Sequence, residues 1–564
     1  MNLSLFSIQL ILSSLFALLI PLLSPRPPTV LRQVWAHFGK LAQRRVVAFV
    51  AVTSLALALR AVMGFALPIP EPRIHDEFSY LLAADTFASG RLTNPPHQLW
   101  QFFESNHINQ QPTYASMYPP AQGMVLAVGQ LVTGRPWFGV WLSCGIMCGL
   151  LYWMLIAWLP PRWALLGGLL AVLHIGTVSY WMNSYWGGCV AAIGGLLVLG
   201  ALPRILFHAQ FRMMPLLALG LIVLANSRPY EGLLLVVSSI VTSLIVRLRK
   251  RPLQITRRFI VFGLVAVMLL LVAGATMGFY FWRVTGSPLV MPYQVNQRMY
   301  AMNYPFLWQT PRTNVQYRHD SMRQFHEWFL SENLRARSSI TGFLDLLITK
   351  LSVAWLFYVG PILSISLLSF SKTIFDHRIR FFVLLSLFAI VGVGAETWFH
   401  PHYIAPFLGV IYVLMLQCMR HIRCWRLQQK RFGLWLVFVV PLLSTVIVAL
   451  ATFSPSKAAY EYWYWCYSEA RGTDRSKILA YLRTKGDQHL VIVHYDPSHP
   501  INDNEWVYNR ADIDSSAVVF AHDMGVTENR KLIDYFKNRR VWLLKPDDNP
   551  LTLTEYDSDS SSKP

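Results

Sequence analysis

Long apolar runs, interrupted by short basic segments and by three longer polar stretches, set the pattern of this chain. The longest runs reach or approach the roughly 20 residues that a helix needs to cross a bilayer. Because they are continuously apolar rather than alternating, they predict membrane-spanning helices and not the strands of a barrel. The pattern predicts about 12 spans, at residues 3–23, 46–67, 137–159, 163–183, 184–203, 213–227, 230–246, 259–281, 346–370, 381–397, 402–418 and 433–453.

The composition agrees with a membrane protein. Of 564 residues, 54% are hydrophobic and 14% are charged, whereas a soluble globular chain carries roughly 25% charged residues. The 20 Trp and 24 Tyr suit aromatic belts at two membrane interfaces. The net charge of +20 lies mostly in short segments between apolar runs. It therefore serves to orient helices, which argues against nucleic acid as a partner.

Three basic segments give the predicted orientation. Residues 24–45, 247–258 and 420–431 carry Lys and Arg but no Asp or Glu, which is typical of cytoplasmic loops. With the N-terminus outside, the order of spans then puts both termini outside, together with the stretches 68–136 and 282–345. The first run has no basic residues before it, so it predicts an anchor rather than a cleaved signal peptide.

Three domains follow from this topology. They are an N-terminal anchor helix with a cytoplasmic segment (1–45), a transmembrane domain carrying the two external loops (46–453), and an external C-terminal segment (454–564). The C-terminal segment contains a single cysteine, Cys466, and the chain shows no retention signal. Both points favour a bacterial inner membrane, with this segment facing the periplasm.

The C-terminal segment is predicted to be a small α/β domain. Helical patterns alternate with short β-rich runs, which is typical of this class, but it has no Gly-rich phosphate loop. The aromatic segment 460–467 predicts a membrane-interface anchor, and the Ser-rich tail 557–564 predicts disorder. The predicted helices are 477–485 and 529–538, and the predicted strands are 489–495, 517–521 and 541–544.

Two adjacent carboxylates, Asp76 and Glu77, stand just beyond the second apolar run. A carboxylate at a membrane face can act as general base on an attacking hydroxyl. Two of them can also hold a divalent cation beside a phosphate. The alternative is that they solvate a loop or cap the helix predicted over residues 78–89. Spacing alone leaves these possibilities open.

The chain resembles the GT-C superfamily of membrane glycosyltransferases, which includes protein O-mannosyltransferases and the aminoarabinose transferase that modifies lipid A. The resemblance covers roughly residues 46–420 and rests on three short motifs in the family's order. They are the acidic pair with its following helix at 76–85, Tyr-Pro-Pro-Ala-Gln-Gly at 118–123, and His-Pro-His-Tyr-Ile-Ala-Pro at 400–406. The family's usual Lys in the second motif is Tyr118 here.

This resemblance implies transfer of a sugar from a polyprenyl-phosphate donor to a lipid, polysaccharide or protein acceptor on the outer face. It implies Asp76 as general base, with Glu77 positioning it or helping to hold a divalent metal ion. The order of spans places Arg228 in a tight turn at the outer face, where it could hold the phosphate of the donor bidentately, although a salt bridge to Glu231 is the competing interpretation. Further substrate-binding candidates are His400, His402, Tyr403, Tyr80 and Tyr118, with Asp85, Arg298 and His75 as weaker ones. The two histidines could bind phosphate or a metal, and a structural role is their alternative.

Two other functions remain open at the level of sequence. A transporter or flippase of a lipid-linked substrate would need ionisable groups at mid-depth in the membrane. Arg60 is the main such group, and burial there predicts a carboxylate partner or a polar cavity. An inactive GT-C scaffold that assists assembly is the other possibility, because a shared fold does not by itself imply a shared function.

Overall fold

The computed structural model describes residues 5–19, 29–247, 256–426, 432–453, 473–500 and 505–557. The aromatic segment 460–467, Cys466, the tail from 558 and parts of all three basic segments lie outside the described residues. The chain divides into two compact units. The membrane unit comprises Met1–Pro70, Val140–Gly274 and Leu344–Ala470, and the loop unit comprises Glu71–Gly139, Ala275–Phe343 and Arg471–Pro564.

Most described residues are helical. In chain order the helices are α1 (Leu5–Leu19), α2 (Thr29–Gln43), α3 (Arg45–Met63), α4 (His75–Ala88), α5 (Pro120–Thr133), α6 (Trp137–Leu155), α7 (Pro161–His174), α8 (Gly188–Leu206), α9 (Met214–Ala225), α10 (Pro229–Arg247), α11 (Arg257–Thr285), α12 (Pro292–Tyr300), α13 (Asp320–Ser338), α14 (Ile340–Tyr358), α15 (Gly360–Leu367), α16 (Phe370–Thr373), α17 (Arg380–Ala395), α18 (Leu408–Ile422), α19 (Phe432–Phe453), α20 (Asp474–Thr484) and α21 (Val526–Tyr535). Short 3-10 helices cover Trp100–Phe103, Phe211–Met213 and Pro401–Phe407.

Seven helical segments within the described residues are long and apolar enough to cross a membrane. The chain is therefore a multi-pass helical membrane protein, as the apolar runs predicted, while the count of about 12 spans stays a prediction. The seven are Arg45–Met63, Trp137–Leu155, Gly188–Leu206, Arg257–Thr285, Ile340–Tyr358, Pro401–Ile422 and Phe432–Phe453, and shorter apolar helices cover Phe6–Phe16, Phe211–Ala225, Pro229–Ile245 and Arg380–Ala395.

The run predicted as a continuous span over 163–183 is helical only as far as His174, and the next helix begins at Gly188. Between them, polar side chains satisfy the backbone in place of helical bonds. Ser179 Oγ donates to the carbonyl of Ile175 (2.7 Å) and Asn183 Nδ2 donates to that of Thr177 (2.9 Å). Such local side-chain bonds compete with regular structure, and hydropathy does not register them.

Arg60 is buried at 1% exposure near the end of α3. Its guanidinium donates to Asn183 Oδ1 (2.9 Å) and to the carbonyls of Leu67 (3.2 Å) and Pro68 (3.0 Å). These bonds tie the chain leaving α3 to the turns after α7. These hydrogen bonds explain how a cation can be buried here, and no transport path is needed to explain it. Arg60 therefore does not support the transporter alternative.

The C-terminal part of the loop unit contains the predicted α/β fold. Its strands are β3 (His489–Val493), β4 (Val518–His522), β5 (Arg540–Lys545) and β6 (Thr552–Glu555). They lie in the order β4-β3-β5-β6, and β3 is parallel to β4 and to β5. The edge strand β6 (Thr552–Glu555) is antiparallel to β5 and was not predicted. Helices α20 and α21 lie where the sequence predicted helices.

The first loop and the C-terminal segment share one hydrophobic core. Phe102, Phe103 and Ile108 of the loop pack in one cluster with Leu490 and Ile492 of β3. The loop also forms the two-stranded ladder of β1 (Ile108–Asn109) and β2 (Ala115–Ser116). The structural division therefore differs from the predicted one, in which residues 454–564 stood apart from the external loops.

Helices α4 and α5 of the first loop pack closely. A side chain at Gly123 would place its Cβ 2.6 Å from the Cβ of Ala83, so only glycine permits this approach. The packing fixes α4, whose first turn carries both acidic candidates.

Candidate active site

Asp76 and Glu77 lie in the first turn of α4, where the helix dipole stabilises negative charge. Their environments differ. Glu77 is 1% exposed, and its Oε2 accepts a hydrogen bond from the backbone N–H of Arg73 (3.0 Å). The Asp76 side chain is 24% exposed. Of the two carboxylates, Asp76 is thus the more accessible one, while Glu77 braces the chain entering the helix.

A tyrosine and a histidine surround the Asp76 carboxylate. The hydroxyl of Tyr118 donates to Oδ1 of Asp76 and lies 3.2 Å from Nδ1 of His107. The same Nδ1 of His107 lies 3.5 Å from Oδ2 of Asp76. Tyr80 stacks on Tyr118 at 4.5 Å between ring centroids. The structure therefore brings together Asp76, Tyr80 and Tyr118 from the sequence analysis and adds His107.

His107 has a strained backbone, with φ at 64°. A left-handed conformation is uncommon outside glycine and costs on the order of 1 kcal/mol or more. It persists because the carbonyl of His107 accepts hydrogen bonds from Ser79 Oγ (2.7 Å) and from the N–H of Met117 (3.2 Å). These bonds direct the ring towards Asp76. No motif in the sequence marks His107, since its position depends on this local geometry.

The C-terminal segment holds the chain that leads into α4. Nδ1 of His75 lies 2.7 Å from Oε2 of Glu505, and the N–H of Glu505 donates to the carbonyl of Arg73 (3.2 Å). Burial alone would raise the pKa of the Glu505 carboxyl. The hydrogen bond and charge of His75, with the fields of His522 and His499, instead lower that pKa to about 2. Glu505 is therefore an anionic anchor for the residues just before Asp76.

Asp85 lies nine residues after Asp76 on α4, about 14 Å along the helix axis. Its carboxylate accepts from Arg510 Nη2 (2.7 Å), from the N–H of Ala511 (2.9 Å) and from Gln130 Nε2 (3.0 Å). Burial would raise the pKa of Asp85, but these hydrogen bonds, led by that of Arg510, lower it. These contacts are those of a structural residue, and the substrate-binding role of Asp85 stays a prediction.

A half-buried arginine gives α4 a further contact with the C-terminal segment. Arg475 lies over the rings of Phe78 (5.0 Å) and Phe520 (4.6 Å) and donates to the carbonyl of Tyr508 (2.9 Å). Burial lowers the pKa of Arg475 to about 10, so it remains charged at neutral pH. Glu505, Arg510 and Arg475 together hold α4 at its start, in its last turn at Asp85, and at Phe78.

Arg298 lies on α12 of the loop unit and is exposed. Its carbonyl accepts a hydrogen bond from Arg312 Nη1 (2.7 Å). The helix is fastened to β1 by Asn109 Nδ2, which donates to the carbonyl of Pro292 (2.9 Å). The substrate-binding role of Arg298 stays a prediction.

The remaining candidates cluster in the membrane unit. The guanidinium of Arg228 lies over the ring of Tyr403, 4.2 Å from its centroid, and 3.6 Å from Oε1 of Glu231. The His400 and His402 rings are parallel at 5.5 Å and lie 5.7 and 5.1 Å from the Tyr403 ring. The salt bridge that competed with phosphate binding is thus present, while the Arg228 side chain stays 18% exposed.

His402 is the most firmly held of these residues. Its Nδ1 and its backbone N–H each lie 3.0 Å from the hydroxyl of Tyr180. The hydroxyl can accept from the N–H while donating to the ring nitrogen. This double contact fixes the entry into the 3-10 helix that precedes α18, where the sequence pattern placed the third family motif.

The predicted metal role of Asp76 and Glu77 concerns two carboxylates beside a substrate phosphate. Within the described part of the chain, no three His, Cys, Asp or Glu side chains are arranged to hold one. Glu77 accepts a hydrogen bond from the Arg73 N–H, and the contacts of Asp76 include those with Tyr118 and His107. The metal role of Asp76 and Glu77 stays a prediction.

No protein-family model matches the chain, and no curated protein matches it. Solved structures of membrane proteins do. The archaeal oligosaccharyltransferase AglB from Archaeoglobus fulgidus, in complex with an inhibitory peptide and a dolichol-phosphate, is similar over 89% of this chain and 69% of its own, at 8% identity and a TM-score of 0.46. ArnT from Cupriavidus metallidurans in the apo state is similar over 89% of this chain and 93% of its own, at 13% identity and a TM-score of 0.47.

ArnT bound to undecaprenyl phosphate is also similar, over 89% of this chain and 92% of its own, at 11% identity and a TM-score of 0.44. AglB and ArnT are GT-C superfamily membrane glycosyltransferases, the superfamily named by the sequence resemblance. At these identities and TM-scores, the likeness assigns neither an activity nor a site to this chain. Its function has to be argued from its own residues.

Proposed function

We propose that this protein is a membrane glycosyltransferase that moves a sugar from a polyprenyl-phosphate donor to an acceptor hydroxyl, with Asp76 as the general base. One observation carries the proposal. Asp76 is a partly exposed carboxylate whose two oxygens are oriented by Tyr118 and His107, at the start of a helix anchored along its length. A base needs both access to its proton donor and a fixed direction, and this carboxylate has both.

The reaction balances with these groups. The acceptor oxygen attacks the anomeric carbon of the sugar and forms the new glycosidic bond. The bond from that carbon to the phosphate oxygen breaks, and its electron pair leaves with the polyprenyl phosphate. Asp76 takes the proton of the acceptor hydroxyl, a step that contributes about 10²- to 10⁴-fold to such rates. Glu77 keeps its hydrogen bond from the Arg73 N–H throughout the reaction.

The departing phosphate gains negative charge, which needs donors in place before the reaction. Arg228 is suited to this role because a guanidinium can bind two phosphate oxygens at once. Tyr403 fixes its plane, and a partly exposed position leaves it accessible. His400 and His402 are assigned, with Arg228, to the groups that bind the departing phosphate. The acceptor is a lipid, polysaccharide or protein hydroxyl, and the proposed location is a bacterial inner membrane with the active site facing the periplasm.

The test is turnover. Purified protein would be incubated with a panel of polyprenyl-phosphate sugars and a membrane extract, and free polyprenyl phosphate would be measured by mass spectrometry. The expected result is extract-dependent release from at least one donor. Donors that bind without any release would contradict the proposal and favour a transporter or a scaffold. An Asp320→Asn variant, which changes a carboxylate 74% exposed in the same unit, is the matched control for active-site variants.

A further inference from the structure

A cavity of about 690 Å³ opens in the membrane unit where the ends of α2, α7, α18 and α19 meet. None of the residues assigned above to the reaction lines this cavity. Four arginines line it: Arg162, Arg420, Arg423 and Arg426. The lining residues that the structure describes include no Asp or Glu. Four like charges around one space repel one another, so an anion in the cavity would be stabilised by all of them.

The arginines are presented by the helix ends. Arg162 lies in the first turn of α7, where the backbone N–H groups of the helix also favour an anion. Helix α2 approaches Arg162 so closely that a Cβ at Gly39 would lie 2.4 Å from its Nε. Arg162, Arg423 and Arg426 are exposed, and Arg420 donates to Gln417 Oε1 (2.7 Å). Accessible guanidinium groups on rigid helix ends are suited to bind phosphate oxygens.

Aromatic residues give the cavity a second character. Trp35, Trp163 and Trp425 line it beside the arginines. The Arg423 guanidinium lies 5.9 Å from the Trp35 ring, which in turn stacks on Phe38 at 5.5 Å. Tryptophan is enriched at the level of lipid headgroups. Arginine with tryptophan at the ends of apolar helices therefore indicates a site at the membrane surface.

We propose that this cavity binds the phosphate of an anionic phospholipid headgroup. Basic pockets between membrane helices are suited to such headgroups, and the volume falls in the range of about 300–1,000 Å³ that holds a ligand of that size. Free inorganic phosphate is a far smaller ligand and would use only part of the space. The basic segments assign this end to the cytoplasmic side by prediction. The inference does not depend on the proposed transferase activity.

The test of this proposal is lipid binding to the purified full-length protein in detergent, measured by native mass spectrometry. Phosphatidylglycerol is the probe, phosphatidylcholine is the comparison lipid, and inorganic phosphate is the competitor. We expect preferential binding of phosphatidylglycerol. The Arg162→Gln/Arg423→Gln variant should lose at least tenfold in that affinity, and Arg162→Lys/Arg423→Lys should lose less, since it keeps the charge without the planar fork.

The matched control is Arg257→Gln/Arg258→Gln, which removes the same charge from another predicted cytoplasmic segment at the start of α11. It should bind phosphatidylglycerol as the wild type does. Equal losses in the two glutamine variants would overturn the proposal in favour of general surface attraction. Displacement of the lipid by millimolar phosphate would overturn it in favour of a free anion. Because all four substituted residues are exposed, wild-type thermal unfolding is expected in each variant.

Discussion

The hydroxyl of Tyr118 donates a hydrogen bond to the carboxylate of Asp76, 42 residues earlier in the chain. Tyr118 occupies the position where the resembling family usually has a lysine. The substitution therefore replaces a cation with a neutral donor, which orients the carboxylate without adding charge beside it. Tyr118 acts in this account as a positioning residue, and Asp76 as the group that touches the substrate.

Changing Tyr118 to Phe should lower kcat about 10- to 100-fold, since a hydrogen bond to a charged group is worth about 1.5–3 kcal/mol, while KM for the donor stays nearly unchanged. Steady-state kinetics of release measures both. The control is Tyr535→Phe, which removes another tyrosine–carboxylate bond of the loop unit, that to Asp514 (3.0 Å). Equal effects of the two variants would contradict a specific role for Tyr118.

Changing Arg228 to Lys should raise KM for the donor about tenfold or more, because a lysine keeps the charge but loses the fork that matches a phosphate. Donor titrations of the turnover rate measure this. Arg204→Lys is the control, because Arg204 also lies over an aromatic ring, that of Trp153 at 4.3 Å. An unchanged donor KM in Arg228→Lys would contradict phosphate binding by Arg228 and leave it only the salt bridge with Glu231.

The Asp85–Arg510 contact should contribute to stability. We expect Asp85→Ala to cost about 2 kcal/mol, because a nearly buried carboxylate and its partners lose their bonds. The pair itself should couple by about 1 kcal/mol, since Arg510 is 67% exposed and solvent screens it. A double-mutant cycle on thermal unfolding in detergent measures the coupling. The exposed Arg323–Glu327 pair is the reference, and a coupling no larger than that pair's would contradict the anchoring role.

Acid should destabilise the loop unit through His522. Burial, and then the neighbouring His319, lowers the pKa of His522 to about 3 in the folded protein, against about 6.5 when unfolded. Below pH 6.5 the unfolded chain binds the proton and the folded one does not. Stability therefore falls as the pH drops towards 3, by about 1.4 kcal/mol per pH unit.

Thermal unfolding at pH 7 and pH 5 measures this dependence. His522→Asn should remove about 2 kcal/mol of the difference between the two pH values, even if it lowers stability at both. His208→Asn, at an exposed histidine, should leave the pH dependence unchanged. The same pH dependence in His522→Asn and in the wild type would contradict a buried neutral His522.

Sequence reasoning succeeded where a local pattern carries the information. Continuous apolar runs located the membrane helices, and alternating helix and strand signals located β3, β4 and β5. The third family motif placed His402 and Tyr403 at the entry into α18, and the structure adds Arg228 beside them. In these cases the hydrophobic pattern or the order of the motifs is enough to locate the element in the chain.

Sequence reasoning failed where the structure depends on contacts between residues far apart in the chain. The Asp85–Arg510 bond joins residues 425 positions apart, and no periodicity relates them. The same holds for His75 and Glu505, so the sharing of one core by the first loop and the C-terminal segment was not predicted. His107 was missed because its role depends on a left-handed backbone that neighbouring hydrogen bonds sustain. The turns after α7 were missed because hydroxyl and amide side chains, rather than hydropathy, end that helix.

The most direct test of the central claim is single-turnover sugar transfer by Asp76→Asn, measured beside donor binding and thermal unfolding of the same preparation. Asparagine keeps the size of the side chain and removes the base. The account predicts a loss of about 10²-fold or more in the transfer rate, with donor affinity and unfolding temperature close to those of the wild type and of Asp320→Asn. Transfer at the wild-type rate in Asp76→Asn would contradict the account.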